Sequence, residues 1–265
     1  MTAPSVVPAP APPPHDELEL LLRIGDDRLV LGHRLSEWCG HAPILEEDIA
    51  LANVALDLLG QATLFLRRAG ELEGQGRDED ALAYFREAVE FRNCLLVELP
   101  NGDFGFTIAR QFLFDAFAVV TLDAMARSTS PELSALSAKS LKEATYHLRH
   151  SVEWVLKLGD GTDESHRRVQ RALDELWRFT PELFVADGVA ARLAVQGIGP
   201  DLPALRPRWD TMVREVIARA TLTLPHDASH TPHLKGGRAG MHTEHLGHML
   251  AEMQIVARSH PGAKW

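Results

Sequence analysis

The stretch Ser137–Trp154, SAKSLKEATYHLRHSVEW, decides the fold. At the helical period it separates into three sectors instead of the usual two. Ser137, Leu141, Ala144, Leu148, Val152 and, just beyond, Val155 form an aliphatic stripe. Lys142, Arg149 and Glu153 form a charged stripe suited to water. Leu136, Lys139, Glu143, Tyr146, His147, His150 and Trp154 share a third, mixed stripe. One wet face beside two unlike faces predicts a helix buried on two sides.

Within the mixed stripe, Glu143 is followed three positions on by Tyr146, and an earlier segment repeats the spacing as Glu90 and Asn93. Both have the form of Glu-x-x-His pairs without the His. A ferritin-like di-iron bundle needs two such pairs and a carboxylate from each of two further helices. Asp57 is the only charge in the run Ile49–Leu66, and Asp115 the only one between Arg110 and Asp123. Asp57, Glu90 with Asn93, Asp115, and Glu143 with Tyr146 follow the bundle order. The expectation is an all-α, ferritin-like bundle with additional C-terminal helices and a vestigial di-iron site.

Carboxylates deep in apolar helices must be paired or neutralised, because an unpaired buried charge costs several kcal/mol. Asn93 offers an amide, a poor metal ligand, and Tyr146 a phenol whose reference pKa is about 10. His147 is rotated by about 100° from Tyr146 on a regular helix. A cation on the same face is the simplest compensation: Lys139, one turn before Glu143, or Arg86, one turn before Glu90. Lys139 is preferred because its sector is not wet. Each carboxylate taken singly is accounted for by solvent or by its own hydrogen bonds; four in bundle order favour the relic site.

A chain of 265 residues is long enough for one large core. Met1–His15 is dominated by Pro and Ala and reads as a disordered tail, with residues 16–265 as a single domain. Helices are predicted over Asp16–Cys39, with Gly25 as a kink or break, and from Pro43 to about Leu72, apolar nearly all round and so expected in the bundle interior. Further helices are predicted over Asp78–Leu99, from Asp103 or Thr107 to Arg127, and from Pro131 to Leu158 behind the Ser130 cap, ended by Gly159 and Gly161. Others follow over Thr162–Phe184, Leu202–Leu224 and Met241–His260. A net charge of -10 argues against nucleic acid. Two cysteines far apart in sequence, no uninterrupted membrane-length apolar run and no signal-peptide pattern predict a reduced cytoplasmic protein.

The C-terminal third carries a competing signal. His226, His230, His233, His242, His245 and His248 fall close together, but nothing in their spacing fixes a metal geometry. Glu244 and His248 form an ordinary pair at helical spacing. Lys235, Gly236, Gly237 and Arg238 suit an anion such as phosphate, although an exposed basic loop with no ligand is the commoner outcome. The chain has no nucleophile elbow, phosphate-binding loop or dinucleotide fingerprint.

Several longer motifs in order carry a resemblance: RLSEWCGHAP from Arg34, ALANVALDLLGQA in the helix that holds Asp57, LLVELPNGDF from Leu95, KEATYHLRHS from Lys142, LWRFTPELF from Leu176 and GMHTEHLGHMLAEMQ from Gly240. From about Leu18 to Trp265 the chain resembles the family of C subunits of bacterial phenylacetyl-CoA oxygenases, the ring 1,2-phenylacetyl-CoA epoxidases of phenylacetate degradation. The resemblance implies a ferritin-like, non-catalytic scaffold with no cofactor of its own. It would pair with a related catalytic di-iron subunit that activates oxygen, alongside a further, small subunit and a reductase carrying flavin and iron-sulfur centres. It also implies that Asp57, Glu90, Asn93, Asp115, Glu143 and Tyr146 occupy vestigial metal positions. Candidate contacts to the CoA portion of phenylacetyl-CoA are Glu90, Phe91, Arg92 and Asn93, with Ala190, Ala191 and Arg192. The alternatives are a catalytically active di-iron oxygenase with an unusual ligand set, and a helical module that recognises an anionic metabolite through Lys235 and Arg238.

Overall fold

The computed structural model describes residues 14–225 and 234–263. The described residues contain ten α-helices and no strand: α1 (Pro14–Ser36), α2 (Leu45–Glu73), α3 (Glu79–Tyr84), α4 (Leu95–Glu98), α5 (Phe104–Met125), α6 (Pro131–Gly159), α7 (Asp163–Leu176), α8 (Gly188–Val195), α9 (Leu202–Arg219) and α10 (Glu244–Ser259). Of the expected tail, residues 1–13 lie outside the described residues, as do the histidines His226, His230 and His233, whereas Pro14 and His15 belong to α1.

Two long hairpins make the bundle. α1 packs along α2, and α5 along α6, while α2 meets α6 across the interior. α7 and α9 cover α5, and α8 lies on α1. The result is the all-α, ferritin-like architecture expected of the sequence, with the later helices as a layer over the α1 and α5 side. α5 is its most buried long helix; Phe112, Leu113, Phe114 and Ala116 have almost no exposure, and Trp209 of α9 is closed over it with its indole N–H donated to the Leu113 carbonyl.

The structure departs from the sequence expectation at several places, including α8, which forms where irregular chain is expected. Asp78–Leu99 is not one helix. After α3 there is a short 3-10 turn at Ala88–Glu90, and then extended backbone at Phe91 and Cys94 before α4. The N–H groups of Arg92 and Cys94, which a helix would donate to its own carbonyls, are donated to Asp26 Oδ2 and Asp27 Oδ1 of α1, each at 2.8 Å. Apolar periodicity carries no information about such a distant acceptor. Thr162–Phe184 likewise divides into α7 and a 3-10 segment, Trp177–Phe184, that contains Pro181; proline has no N–H for the helical ladder.

Gly25 does not break α1. A Cβ there would stand 2.7 Å from Leu66 Cδ2, so the glycine serves the close approach of α1 and α2. Finally, α2 is not interior on all sides: Leu45, Ile49 and Leu56 are 72%, 54% and 65% exposed.

Candidate functional site

The face that α6 turns into the bundle is small and polar: Ser137, Ser140, Ala144, His147 and Ser151 are all buried. Opposite it on α5 lies Asp115, 1% exposed. Its carboxylate accepts hydrogen bonds from Gln111 Nε2 at 2.7 Å and from Ser151 Oγ at 2.8 Å. Burial pushes its pKa up to about 7, against the pull of those two donors. Asp115 is therefore answered by neutral donors and by retention of its proton.

The α2–α6 contact is a hydrogen-bonded relay. Arg28 of α1 donates from Nε to Gln61 Oε1 at 2.8 Å, and Gln61 Nε2 donates to Glu143 Oε2 at 2.7 Å. One turn along α6, His147 Nε2 meets Asp57 Oδ2 at 3.0 Å, and next to it His150 Nε2 meets Glu47 Oε2 at 2.9 Å. Asp57 is not deeply buried; its side chain is 41% exposed. Burial lowers the His147 pKa against the opposing effect of Asp57, so the imidazole is neutral at pH 7.

Lys139, the expected neutralising cation, does not enter this group; the buried cation at this contact is Arg28, which reaches Glu143 through Gln61. Lys139 is exposed on α6. Arg28 is 4% exposed, lies over the Phe65 ring and has Glu143 among its charged neighbours. Burial brings its pKa down to about 10, which leaves it charged at neutral pH. Tyr146 also points outward: it is 50% exposed and carries the Arg149 guanidinium on its ring. The inward neighbour is His147, on an uninterrupted helix.

Glu90 and Asn93 do not join this group. Glu90 is exposed, and its Oε2 accepts the Glu87 N–H. Asn93 is fully buried in a second polar cluster on the other side of α1, where Nδ2 donates to Glu98 Oε2 at 2.9 Å. Glu98 also takes His242 Nδ1 at 2.8 Å and the Thr243 N–H. Asp27 pairs with both Nη atoms of Arg238. Glu182 accepts three backbone N–H groups, from Leu95, Gly236 and Gly237.

That last arrangement resolves the glycine loop. The anion its geometry suits is supplied from within the chain, by Glu182 for the backbone of Gly236 and Gly237 and by Asp27 for Arg238. Gly237 is needed for the fit, since a Cβ there would lie 2.2 Å from the Asn93 carbonyl oxygen.

The donor set does not fit a di-iron centre. Asp57, Glu143 and Asp115 line the bundle, but the two positions that would supply imidazoles hold an outward Tyr146 and a remote Asn93. Among the described residues no three His, Cys, Asp or Glu side chains are grouped to hold a metal ion. Replacing Asn93 and Tyr146 together by His is therefore expected to leave iron binding unchanged, measured as iron per chain after growth in iron-replete medium. A stoichiometric gain would show that both positions do reach a common site.

The two candidate substrate segments, about a hundred residues apart in sequence, do come together on the first turns of α1. Arg92 Nε approaches Glu19 at 3.5 Å, Glu19 accepts from Arg23 Nε at 2.9 Å, and Arg23 pairs with Asp187, whose carboxylate caps α8 at the Ala190 N–H. Arg192 pairs with Asp16 at 2.7 Å and is 53% exposed. Phe91, Asn93 and Ala190 are buried, so Glu90, Arg92, Ala191 and Arg192 are the members that solvent reaches. Beside them a cavity of about 60 Å³ lies between Leu20, Ile24, Phe117, Val189 and Leu193, with Arg23, Asp27, Arg28, Glu182 and Arg238 also in its wall.

The features that sequence reasoning missed lie in α1. Asp26, Asp27, Arg28 and Arg34 are buried there among leucines, and Asp16 at its start. The consecutive charges Asp26-Asp27-Arg28 within an otherwise leucine-rich helix were the available signal.

Comparison with known proteins agrees with this architecture. The family described as Phenylacetic acid catabolic protein matches residues 8–265. The chain is 52% identical over 244 residues to the C subunit of the 1,2-phenylacetyl-CoA epoxidase of Escherichia coli strain K12, an alignment that covers 92% of this chain and 97% of that one. With that extent of agreement, the chain belongs to the phenylacetic acid catabolic protein family.

Proposed function

We propose that this chain is a non-catalytic, structural subunit of a multicomponent phenylacetyl-CoA 1,2-epoxidase. It scaffolds a di-iron subunit that activates oxygen, with a small third subunit and a flavin and iron-sulfur reductase completing the system. The observation that carries this reading is the Arg28–Gln61–Glu143 relay: an arginine and an amide satisfy the bundle interior where a metal centre would require free donors. Asp57 is similarly committed to His147. The relative's description as a subunit supports action within an assembly. Reading the chain as an oxygenase in its own right is disfavoured by the same donor set, and an anion-binding module by the pairing of Arg238 with Asp27.

In this reading the Arg92 and Arg192 edge meets the CoA portion of the substrate, whose phosphates suit guanidinium groups. The protein is taken to act in the cytoplasm, in keeping with two free cysteines, exposed Cys39 and buried Cys94.

Reconstitution tests the role. Oxygen consumption with phenylacetyl-CoA and reductase should require both this chain and the di-iron subunit. Turnover by this chain with reductase alone would overturn the proposal. In the complete system Arg192→Ala should raise KM for phenylacetyl-CoA by roughly three- to tenfold with kcat little changed, the size expected of one partly exposed charged contact. An unchanged KM would remove Arg192 from the substrate edge.

A further inference from the structure

The most apolar 18-residue stretch of α2 is more hydropathic than that of α5, yet only 44% of it is buried, against 94% for α5. The uncovered part is ordered along the helix. Leu45, Ile49, Leu56 and Gly60 fall on one face, with Ala52, Asn53 and Thr63 between and beyond them, and none of these seven is charged. Leu45, Ile49 and Leu56 are each more than half exposed, and a Cβ at Gly60 would meet nothing within 4 Å. On α6, Tyr146 is half exposed, and the His147–Asp57 pair joins α6 to the edge of this face. The opposite side of the bundle is already covered by α7, α8 and α9.

From this we infer that the α2–α6 face is the docking surface for another helical subunit of the same oxygenase assembly, which lays an aliphatic helix ridge along Leu45, Ile49 and Leu56. The inference rests on the reading of the chain as an epoxidase subunit. Branched aliphatic side chains repeating at helical spacing, with small residues among them, form a groove that accepts the ridge of a second helix. The size is appropriate. At 1.5 Å per residue the stripe runs about 27 Å, and with α6 one helix spacing away it offers about 500 Å². Both partners together then bury about 1,000 Å², enough for a specific interface.

A membrane surface fits less well. α2 begins with Glu46, Glu47 and Asp48, and Asp57 sits beside the stripe, whereas helices that lie on anionic lipid flank their apolar face with Lys and Arg. A second copy of this chain would bring its own Asp57, near the middle of the stripe and part-exposed, toward the same carboxylate across a symmetric contact.

The test uses the full chain and the oxygen-activating subunit of its own system, with binding measured by sedimentation and by co-elution. Ile49→Glu and Leu56→Glu should weaken the complex roughly 100-fold, as loss of central interface anchors does. Their helical circular dichroism should match the unaltered chain, because both positions are exposed. Val195→Glu and Ile255→Glu, at exposed apolar positions elsewhere, should bind as the unaltered chain does. Undiminished binding by Ile49→Glu and Leu56→Glu would overturn the docking surface while leaving the subunit role intact. Absence of binding by the unaltered chain would overturn the subunit role itself. Self-association that Leu56→Glu abolishes, or flotation with phosphatidylglycerol vesicles, would replace the proposed occupant and so contradict the inference.

Discussion

Replacing Arg86 with Ala is expected to destabilise the protein by about 3–5 kcal/mol, the usual consequence of leaving one member of a buried ion pair alone. Arg86 and Asp26 are 2% and 0% exposed at their side chains and make a two-pronged contact. The same guanidinium donates to the Leu82 and Glu90 carbonyls and lies over Phe91. Asp26 in turn receives the Arg92 N–H, so the pair ties the 85–94 segment between α3 and α4 to α1. For a chain of this size the loss corresponds to a Tm lower by roughly 6–20 °C, read by calorimetry. The double variant Arg86→Met with Asp26→Asn should recover part of the loss, because no bare charge remains. A Tm within about 2 °C of the unaltered protein for Arg86→Ala would mean that the pair contributes little.

The second large effect concerns pH. Asp115 keeps its proton in the folded protein up to about pH 7, because burial outweighs the Gln111 and Ser151 hydrogen bonds. In the unfolded chain it releases the proton near the ordinary carboxylate value of about 3.9. Between those limits the folded state binds more protons than the unfolded state, so this group's contribution to stability falls as pH rises. Asp115→Asn, neutral at every pH, removes that loss. Urea denaturation should find the variant increasingly favoured with pH, the gap to the unaltered protein widening by about 2–3 kcal/mol between pH 5 and pH 8. A gap constant across that range would mean that the folded carboxyl is ionised throughout.

Much of this architecture was legible because it depends on local pattern. The three sectors of Ser137–Trp154 place α6, with its bounds at Pro131 and Gly159. The lone charge in an apolar run identifies Asp115 as buried. What failed was whatever depended on distant partners. The mixed sector of α6 spans both an inner and an outer edge, so Lys139 and Tyr146 face water while His147, one residue on, faces Asp57. The cation that does enter comes from α1, a helix whose leucine pattern drew attention from Arg28. Glu90 and Asn93 had the correct spacing but no helix to hold it, since the carboxylates of Asp26 and Asp27 take the backbone N–H groups that a helix would have used.

The α2 face makes the same point. A helix apolar nearly all round reads as interior, whereas this chain leaves one side of α2 uncovered; apolar patterning alone does not separate the two.

The most direct test of the account is iron and other metals per chain for this protein purified alone from iron-replete cells. The Arg28–Gln61–Glu143 relay and the Asp57–His147 pair predict iron far below stoichiometric levels, with none recovered on reconstitution with ferrous ion. A full di-iron complement held by the isolated chain would contradict the account and make this protein an oxygenase itself.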